Sequence, residues 1–234
     1  MISQYFHIVL LILSIVGFLT VLIWSLRFRR RKELVLMSSF QLFLSIDLFI
    51  SLMVKTGLWS FFPRILFINW PIPFLYGPLM YLLYFFFKTE HFKFRWWHLV
   101  YFLPFVFMVI LNIPVMFRDT LEKKMILQEL INNGIPYLAN DFEWVIHSIY
   151  NCLFTYLIVF TGRVMKNNEK KYLDVIAIVW VVVFTSQLIY VLLFNIFHLK
   201  FEQNVLFVEV NWIISTFLFS IALKHKTKKK VKSG

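Results

Sequence analysis

Seven apolar segments, separated by short polar gaps, fill nearly the whole of this 234-residue chain. Each segment runs for about 17–25 residues, the length that an α-helix needs to cross the hydrocarbon core of a bilayer. Lipid offers the backbone no hydrogen bonds, so segments of this kind predict transmembrane helices. The predicted spans are Tyr5–Leu26, Leu34–Val54, Pro71–Phe87, Leu99–Met116, Phe142–Gly162, Tyr172–Asn195 and Asn204–Leu223.

The composition supports the same class of protein. Hydrophobic residues make up 60% of the chain and charged residues 15%, which is more apolar surface than a soluble domain can bury. The longest polar gap, Phe117–Asp141, is too short to form a core of its own. We therefore predict an all-α, polytopic membrane protein in which residues 1–223 form one seven-helix transmembrane domain. Residues 224–234 then form a basic cytoplasmic tail or the start of a linker.

The basic residues occupy alternate gaps and so predict the orientation. Of the 24 Lys and Arg residues, 18 lie after the first, third and fifth spans and in the carboxyl-terminal tail. Lys and Arg are retained on the cytoplasmic side, so the amino terminus is predicted outside and the carboxyl terminus inside, in the inner membrane of the cell. These cations would contact anionic lipids at the inner face. Because they line a membrane edge and not one folded surface, we expect no direct nucleic-acid binding.

Polar side chains within the outer halves of the spans are the candidate functional residues. Such groups are costly in lipid and normally face the bundle interior or water, so their similar depth suggests one cluster that opens outward and binds a small ligand. The alternative is that they hydrogen-bond one helix to another as packing contacts. The ligand-binding candidates are Asp47, His147, Asn151, Gln187, Tyr190 and Glu209.

No enzyme motif accompanies these residues. HExxH and GxSxG are absent, and the six histidines do not have the spacing of a metal site. The single cysteine, Cys152, has no thiol partner in the chain. We therefore expect no catalytic residue, no metal, no cofactor and no enzymatic activity.

The long gap between the fourth and fifth spans contains a predicted short helix. Asp119 and Thr120 can cap its start, and Asn133-Gly134 followed by Pro136 stops it. Its apolar residues Leu121, Met125, Leu130 and Ile131 share roughly one face. The helix is expected either to lie on the outer leaflet or to cover the bundle.

Two motifs resemble the seven-helix amino-terminal domain of membrane-bound AraC-type transcriptional regulators of Bacteroidetes. Gly77, Pro78, Leu79 and Tyr81 match a GPLLYxY-type helix of that family position by position. The sequence Tyr101-Phe-Leu-Pro-Phe is similar to the HFIPF element that follows it, with tyrosine in place of histidine. At the end of the chain, Lys229-Lys-Val-Lys-Ser-Gly resembles the KYxxSGL start of the family's linker, although Lys230 replaces its tyrosine.

The resemblance implies a sensory membrane domain that serves a cytoplasmic DNA-binding output domain, in cis or in trans. A homodimer is compatible with that role. Gly77-Pro78 loosens the third span and Pro104 begins the fourth, so Gly77, Pro78 and Pro104 are hinge candidates, with a static kink as the alternative. The alternative function is a small multi-pass transporter or channel, for which the polar cluster would have to continue to the cytoplasmic face.

Overall fold

The described part of the chain is entirely helical. A computed structural model describes residues 57–89, 93–132, 141–164 and 171–197, together with individual helical positions between 8 and 23 and between 36 and 54. At some helical positions, Tyr190 among them, it describes the backbone alone. No strand occurs in these ranges, which confirms the all-α class. The predicted seventh span, with Glu209, and the basic tail lie outside the described residues.

Five α-helices are described, and three short 3₁₀ segments accompany them. Four of the α-helices overlap the predicted third to sixth spans, and one lies in the long gap between the fourth and fifth. The α-helices are α1 (Pro73–Lys88), α2 (Leu103–Met116), α3 (Thr120–Asn132), α4 (Asp141–Val164) and α5 (Lys171–Phe197), and the 3₁₀ segments are Leu58–Ser60, Pro63–Ile65 and Trp96–Phe102.

Helix α4 packs along both α1 and α5 and so joins the described bundle. Its buried face is a stripe of small and polar side chains at helical spacing: Ser148, Asn151, Cys152 and Thr155. Small residues let membrane helices approach closely, and polar ones bond across the interface. The approach is close at Gly77 of α1, where an added Cβ would lie 2.9 Å from the Asn151 side-chain oxygen. A larger residue here would force the neighbouring side chains of α4 to shift.

Helix α2 exposes an apolar surface that suits lipid. With the 3₁₀ segment before it, Trp96–Met116 is long and apolar enough to cross a membrane, and so is Val145–Gly162 within α4; Pro73–Phe86 and Ala177–Leu193 are apolar but shorter. The side chains of Leu103, Phe107 and Ile110 are each more than half exposed. A continuous exposed apolar face of this size marks a surface that is covered by something other than water.

Residues 57–72 and α3 form a substructure that we call the cap. Residues 57–72 are called the turn segment. Its Leu66 and Phe67 are buried against Leu127 of α3 in a small second core. The Lys123 ammonium also donates a hydrogen bond of 3.0 Å to the Arg64 carbonyl oxygen. The two parts of the cap are therefore held together by apolar and polar contacts.

The buried face of α3 differs from the apolar face drawn from the sequence. Leu121 and Met125 are each about two-thirds exposed, whereas Lys123 and Leu127 are buried. The reason is the partner: residues 57–72 present a backbone carbonyl oxygen that Lys123 reaches and an apolar surface against which Leu127 and Ile126 pack. Burial lowers the pKa of the Lys123 ammonium. At the start of α3, the Asp119 backbone carbonyl accepts the Lys123 N–H at 3.0 Å, and its carboxylate accepts the N–H of the adjacent Thr120 at 2.7 Å. Asp119 therefore occupies the position before the helix, but no bond from its side chain to the second or third helical residue is among these.

Candidate functional site

The first of three polar contacts of α1 joins it to the second predicted span, and we call it the Asp47 contact. The Tyr76 hydroxyl donates to Asp47 Oδ2 at 2.6 Å, and Asn69 Nδ2 donates to Asp47 Oδ1 at 2.8 Å. Tyr76 and Asn69 are buried, at 5% and 6% exposure. Asn69 comes from the turn segment of the cap, so this contact ties the cap, the second span and α1 to one carboxylate.

A bulky residue in a left-handed conformation shapes the turn that carries Asn69. Phe67 has a φ of 71°, although it has a large side chain and is fully buried. Such a conformation costs about 1–3 kcal/mol, and it persists only where the surrounding packing enforces it. Burial of the Phe67 ring against Trp70, with ring centroids 4.7 Å apart, supplies part of that packing. The turn is thus held in a strained shape that places Asn69 against Asp47.

The second contact is made by the side-chain amide of Asn151, and we call it the Asn151 contact. Asn151 Oδ1 accepts the backbone N–H of Gly77 at 2.8 Å, while Asn151 Nδ2 donates to the Pro73 carbonyl oxygen at 3.1 Å. These two backbone groups are four residues apart, so they are the pair that an α-helix normally bonds directly. The amide therefore bridges one rung of the α1 ladder, directly before Pro78. It thereby ties α4 to the backbone of α1 through both groups.

His147 and Gln187 join α4 to α5 near the same level. The His147 and Gln187 Nε2 atoms are 3.2 Å apart, and the edge of the His147 ring faces Phe74 of α1 with centroids 6.0 Å apart. Ser148 Oγ and Gln187 Oε1 are buried without a hydrogen-bond partner among the described residues. Polar groups in this state usually mark a place where a further donor or acceptor binds.

The third contact, the Asp174 contact, joins the carboxyl end of α1 to the first turn of α5. Asp174 Oδ1 accepts from the Lys88 ammonium at 2.6 Å and from the Tyr84 hydroxyl at 2.7 Å. The Lys88 side chain is 1% exposed and that of Asp174 is 43% exposed. The hydroxyl of Tyr84 occupies the space where Gly162 of α4 lacks a Cβ. Residues from three helices therefore meet here.

Comparison of the chain with known proteins finds no match that would assign a function to these contacts. Neither family models, curated proteins nor solved structures match the chain. The resemblance to the AraC-type regulators consequently rests on the sequence motifs alone. The function has to be argued from the contacts of the chain's own residues.

The structure distributes the sequence-predicted ligand residues over separate contacts. His147 and Gln187 come together, and Asn151 lies on the same face of α4 but bonds to the backbone of α1. Asp47 is held by Asn69 and Tyr76. The side chain of Tyr190 and all of Glu209 lie outside the described part. For Asn151, the alternative of helix-to-helix packing describes what is observed.

The hinge candidates occupy two different settings. Gly77 and Pro78 lie inside α1, next to the Asn151 contact. Pro104 lies in the first turn of α2, where a proline breaks no α-helical hydrogen bond. Because Pro104 has no N–H, the Tyr101 carbonyl oxygen lacks its 3₁₀ partner, and the Tyr150 hydroxyl donates to it instead.

The Asp174 contact was not foreseen from the sequence. Lys88 and Asp174 are 86 residues apart, and each has a sufficient local explanation: the lysine as an inner-loop cation, the aspartate as a favourable charge at a helix start. The available signal was that both residues fall at the predicted cytoplasmic ends of apolar helices. An acidic and a basic residue at the same depth in neighbouring helices satisfy one another.

Proposed function

We propose that the chain is a multi-pass membrane sensory domain, with seven spans, that detects an outer-side or membrane ligand and passes a conformational signal to a cytoplasmic transcriptional output. A signal of this kind requires two arrangements of the helices that the ligand binds unequally. The output is a DNA-binding domain that either follows this chain or is encoded separately. The bundle lies in the inner membrane with its carboxyl end in the cytoplasm.

The observation that carries the proposal is the series of contacts along α1. Helix α1 bonds to the second span at Tyr76, to α4 at Pro73 and Gly77, and to α5 at Tyr84 and Lys88. The first two lie at one end of the helix, and the last lies at the other. A change at the Asp47 contact therefore has a continuous physical route to the Asp174 contact.

The predicted placement of the span ends on two opposite sides of the membrane receives support from two contacts. Lys88 and Asp174 are both predicted at the cytoplasmic face, and they form an ion pair. Lys123 and Arg64 belong to gaps that are both predicted outside, and they are hydrogen-bonded. The exposed apolar face of α2 is what lipid would cover. Seven spans and this orientation account for all of these features together.

The proposal is tested by measuring whether a change at one end of α1 alters the other end. Spin labels would be placed at Thr89→Cys, after the last residue of α1, and Val175→Cys, next to Asp174, in a Cys152→Ala background in lipid nanodiscs. Tyr76→Phe removes one bond of the Asp47 contact and is expected to shift or broaden the distribution of label distances. Phe107→Leu, on the exposed face of α2, serves as the control and should leave the distribution unchanged.

An unchanged distribution in Tyr76→Phe, with the protein folded, would reject transmission along α1. The transcriptional output needs a separate test, for which the genomic coding sequence is used. A helix-turn-helix domain in frame after this segment, or a regulator gene beside it, is expected; a stop codon with no neighbouring regulator would contradict that output.

A small transporter or channel is the second candidate, and one observation favours it. The buried polar side chains do not stop in the outer half of the bundle, because Thr155 and the Asp174 contact extend them toward the predicted cytoplasmic face. A transporter requires polar groups that continue to the cytoplasmic face. Flux of ions or small solutes into vesicles that contain the purified chain distinguishes a transporter, which gives saturable flux, from a sensor, which gives none.

A further inference from the structure

The Asp47 contact contains a carboxyl group with no positive partner among the described residues. The ion pairs among the described side chains are Lys88–Asp174 and Arg118–Glu122, and neither involves Asp47. Its two hydrogen bonds come from a neutral hydroxyl and a neutral amide. A carboxylate has about four lone-pair sites on its two oxygens, so two donors do not saturate it. An isolated charge within an apolar bundle is costly unless it is neutralised.

The Asn69 amide adds an independent observation. Asn69 is 6% exposed, and its Oδ1 is buried without any hydrogen-bond partner among the described residues. The orientation of the amide follows from Asp47, since the opposite orientation would set an oxygen against the carboxylate. An unpartnered acceptor of this kind requires a donor or a cation. It belongs to the same amide whose nitrogen lies 2.8 Å from Asp47 Oδ1, so it adjoins the carboxylate.

The oxygen atoms at this place have the chemistry of an alkali-metal site. They are the Asp47 carboxylate oxygens, Asn69 Oδ1 and the Tyr76 hydroxyl oxygen, and they carry one negative charge between them. Hard cations prefer carboxylate, amide and carbonyl oxygens, and a single carboxylate balances a monovalent ion. Transition metals and divalent ions favour sites with several His, Cys, Asp or Glu side chains. Among the described residues, no three such side chains lie close enough together to hold a metal ion.

We propose that Asp47, Asn69 and Tyr76 bind a monovalent alkali cation, with Na⁺ as the ion to test, beneath the cap. The bound ion neutralises Asp47, satisfies the Asn69 oxygen and fixes the strained turn at Phe67 to the second span and α1. Tyr76 directly precedes Gly77, so the ion also stabilises α1 next to its Asn151 contact. Binding of the ion does not depend on the sensory function, and it can be measured if that function fails.

The experiment compares Na⁺ with an organic cation that oxygen ligands cannot hold. The full chain in nanodiscs would be unfolded thermally in increasing NaCl, with choline chloride keeping the ionic strength constant. A ligand that binds only the folded state raises Tm by mass action, so Tm should rise by several degrees and then saturate. Asp47→Asn is expected to abolish this rise. Asn69→Ala and Tyr76→Phe keep the carboxylate and should increase the half-saturating Na⁺ concentration by about tenfold.

Asp174→Asn is the matched control, because that carboxylate already has Lys88 as its cation. It should retain the full Na⁺-dependent rise. An equal rise in every variant would identify a general salt effect and overturn the proposal. A second outcome also overturns the proposal: the Tm of the wild type depends on pH and not on Na⁺, and Asp47→Asn abolishes the pH dependence. In that case a proton, and not Na⁺, neutralises Asp47. If Asp47→Asn does not fold, the Na⁺ titrations of Asn69→Ala and Tyr76→Phe decide. An unchanged half-saturating Na⁺ concentration in both variants would exclude Asn69 and Tyr76 as ligands of the ion and overturn the proposal.

Discussion

Replacing Asn151 by alanine removes the side chain that bridges Pro73 and Gly77 of α1. The residue is completely buried and makes two hydrogen bonds, of 2.8 and 3.1 Å, to backbone groups of another helix. Alanine is small enough to fit without a clash. The substitution therefore tests the two bonds and the small cavity left by the amide, and it leaves the rest of the interface between α1 and α4 in place.

The expected loss follows from what such bonds contribute in membrane proteins. Hydrogen bonds between transmembrane helices average about 0.6 kcal/mol and reach about 1.7 kcal/mol. Two bonds and a small cavity thus predict a decrease of about 1–3 kcal/mol in the free energy of unfolding. Part of this is recoverable, because Pro73 and Gly77 are spaced to bond directly once the amide is gone.

Asn112→Ala supplies a matched control for this measurement. Asn112 is also buried, at 2% exposure, but its side chain donates only to the Met108 carbonyl oxygen of its own helix. Its removal breaks no hydrogen bond between helices, so we expect a loss below about 1 kcal/mol. Reversible unfolding in mixed detergent micelles, followed by tryptophan fluorescence, gives both values on one scale. If Asn151→Ala costs no more than Asn112→Ala, the bridge does not stabilise the bundle.

Three further predictions concern the ends of the bundle. Gly162→Ala places a methyl group at the Tyr84 hydroxyl and should destabilise the protein by about 1–3 kcal/mol, but clearly less in a Tyr84→Phe background, where a double-mutant cycle of thermal unfolding measures the coupling. Lys88→Met should cost less when Asp174→Asn accompanies it, since the single change leaves a partly buried carboxylate unpaired; equal costs in chemical denaturation would contradict this. Burial lowers the pKa of Lys123, so Lys123 loses its proton at a lower pH in the folded state than in the unfolded state. The free energy of unfolding should therefore rise as the pH approaches the ordinary lysine pKa of 10.5, and Lys123→Met should abolish this rise. A rise that persists in Lys123→Met would show that Lys123 is not its source.

The positions of the helices could be predicted from the sequence more readily than their contacts. Apolar runs and proline or glycine stops are local signals, and α4 at Asp141–Val164 overlaps its predicted span of Phe142–Gly162 closely. Which side chains meet depends on how each helix is rotated about its axis, and no local signal fixes that angle. His147 and Gln187, two members of the predicted cluster, do contact one another, whereas Asp47 and Asn151 have other partners.

The Asn151 contact shows why side-chain patterns alone were insufficient. Its partners are backbone groups of Pro73 and Gly77, and a list of polar side chains contains neither of them. The same limitation applies to Lys123, whose acceptor is the Arg64 carbonyl oxygen. Counting this lysine as an outer-loop charge was compatible with its position, but it gave no indication that the side chain is buried.

The Asn151 contact also determines how α1 is able to move. A planar amide that holds two backbone groups at once resists sliding of α1 along α4, because a shift of one residue breaks both bonds. What remains is rotation about a fulcrum at Gly77. Lys88 lies 11 residues beyond it, a lever arm of about 16 Å, so a tilt of only about 5° displaces the lysine by about 1.4 Å. If the displacement runs along the bond, it lengthens the 2.6 Å separation of Lys88 Nζ and Asp174 Oδ1 past hydrogen-bonding range. An event too small to rearrange the cap would thus be amplified into a broken ion pair at the far end of the helix.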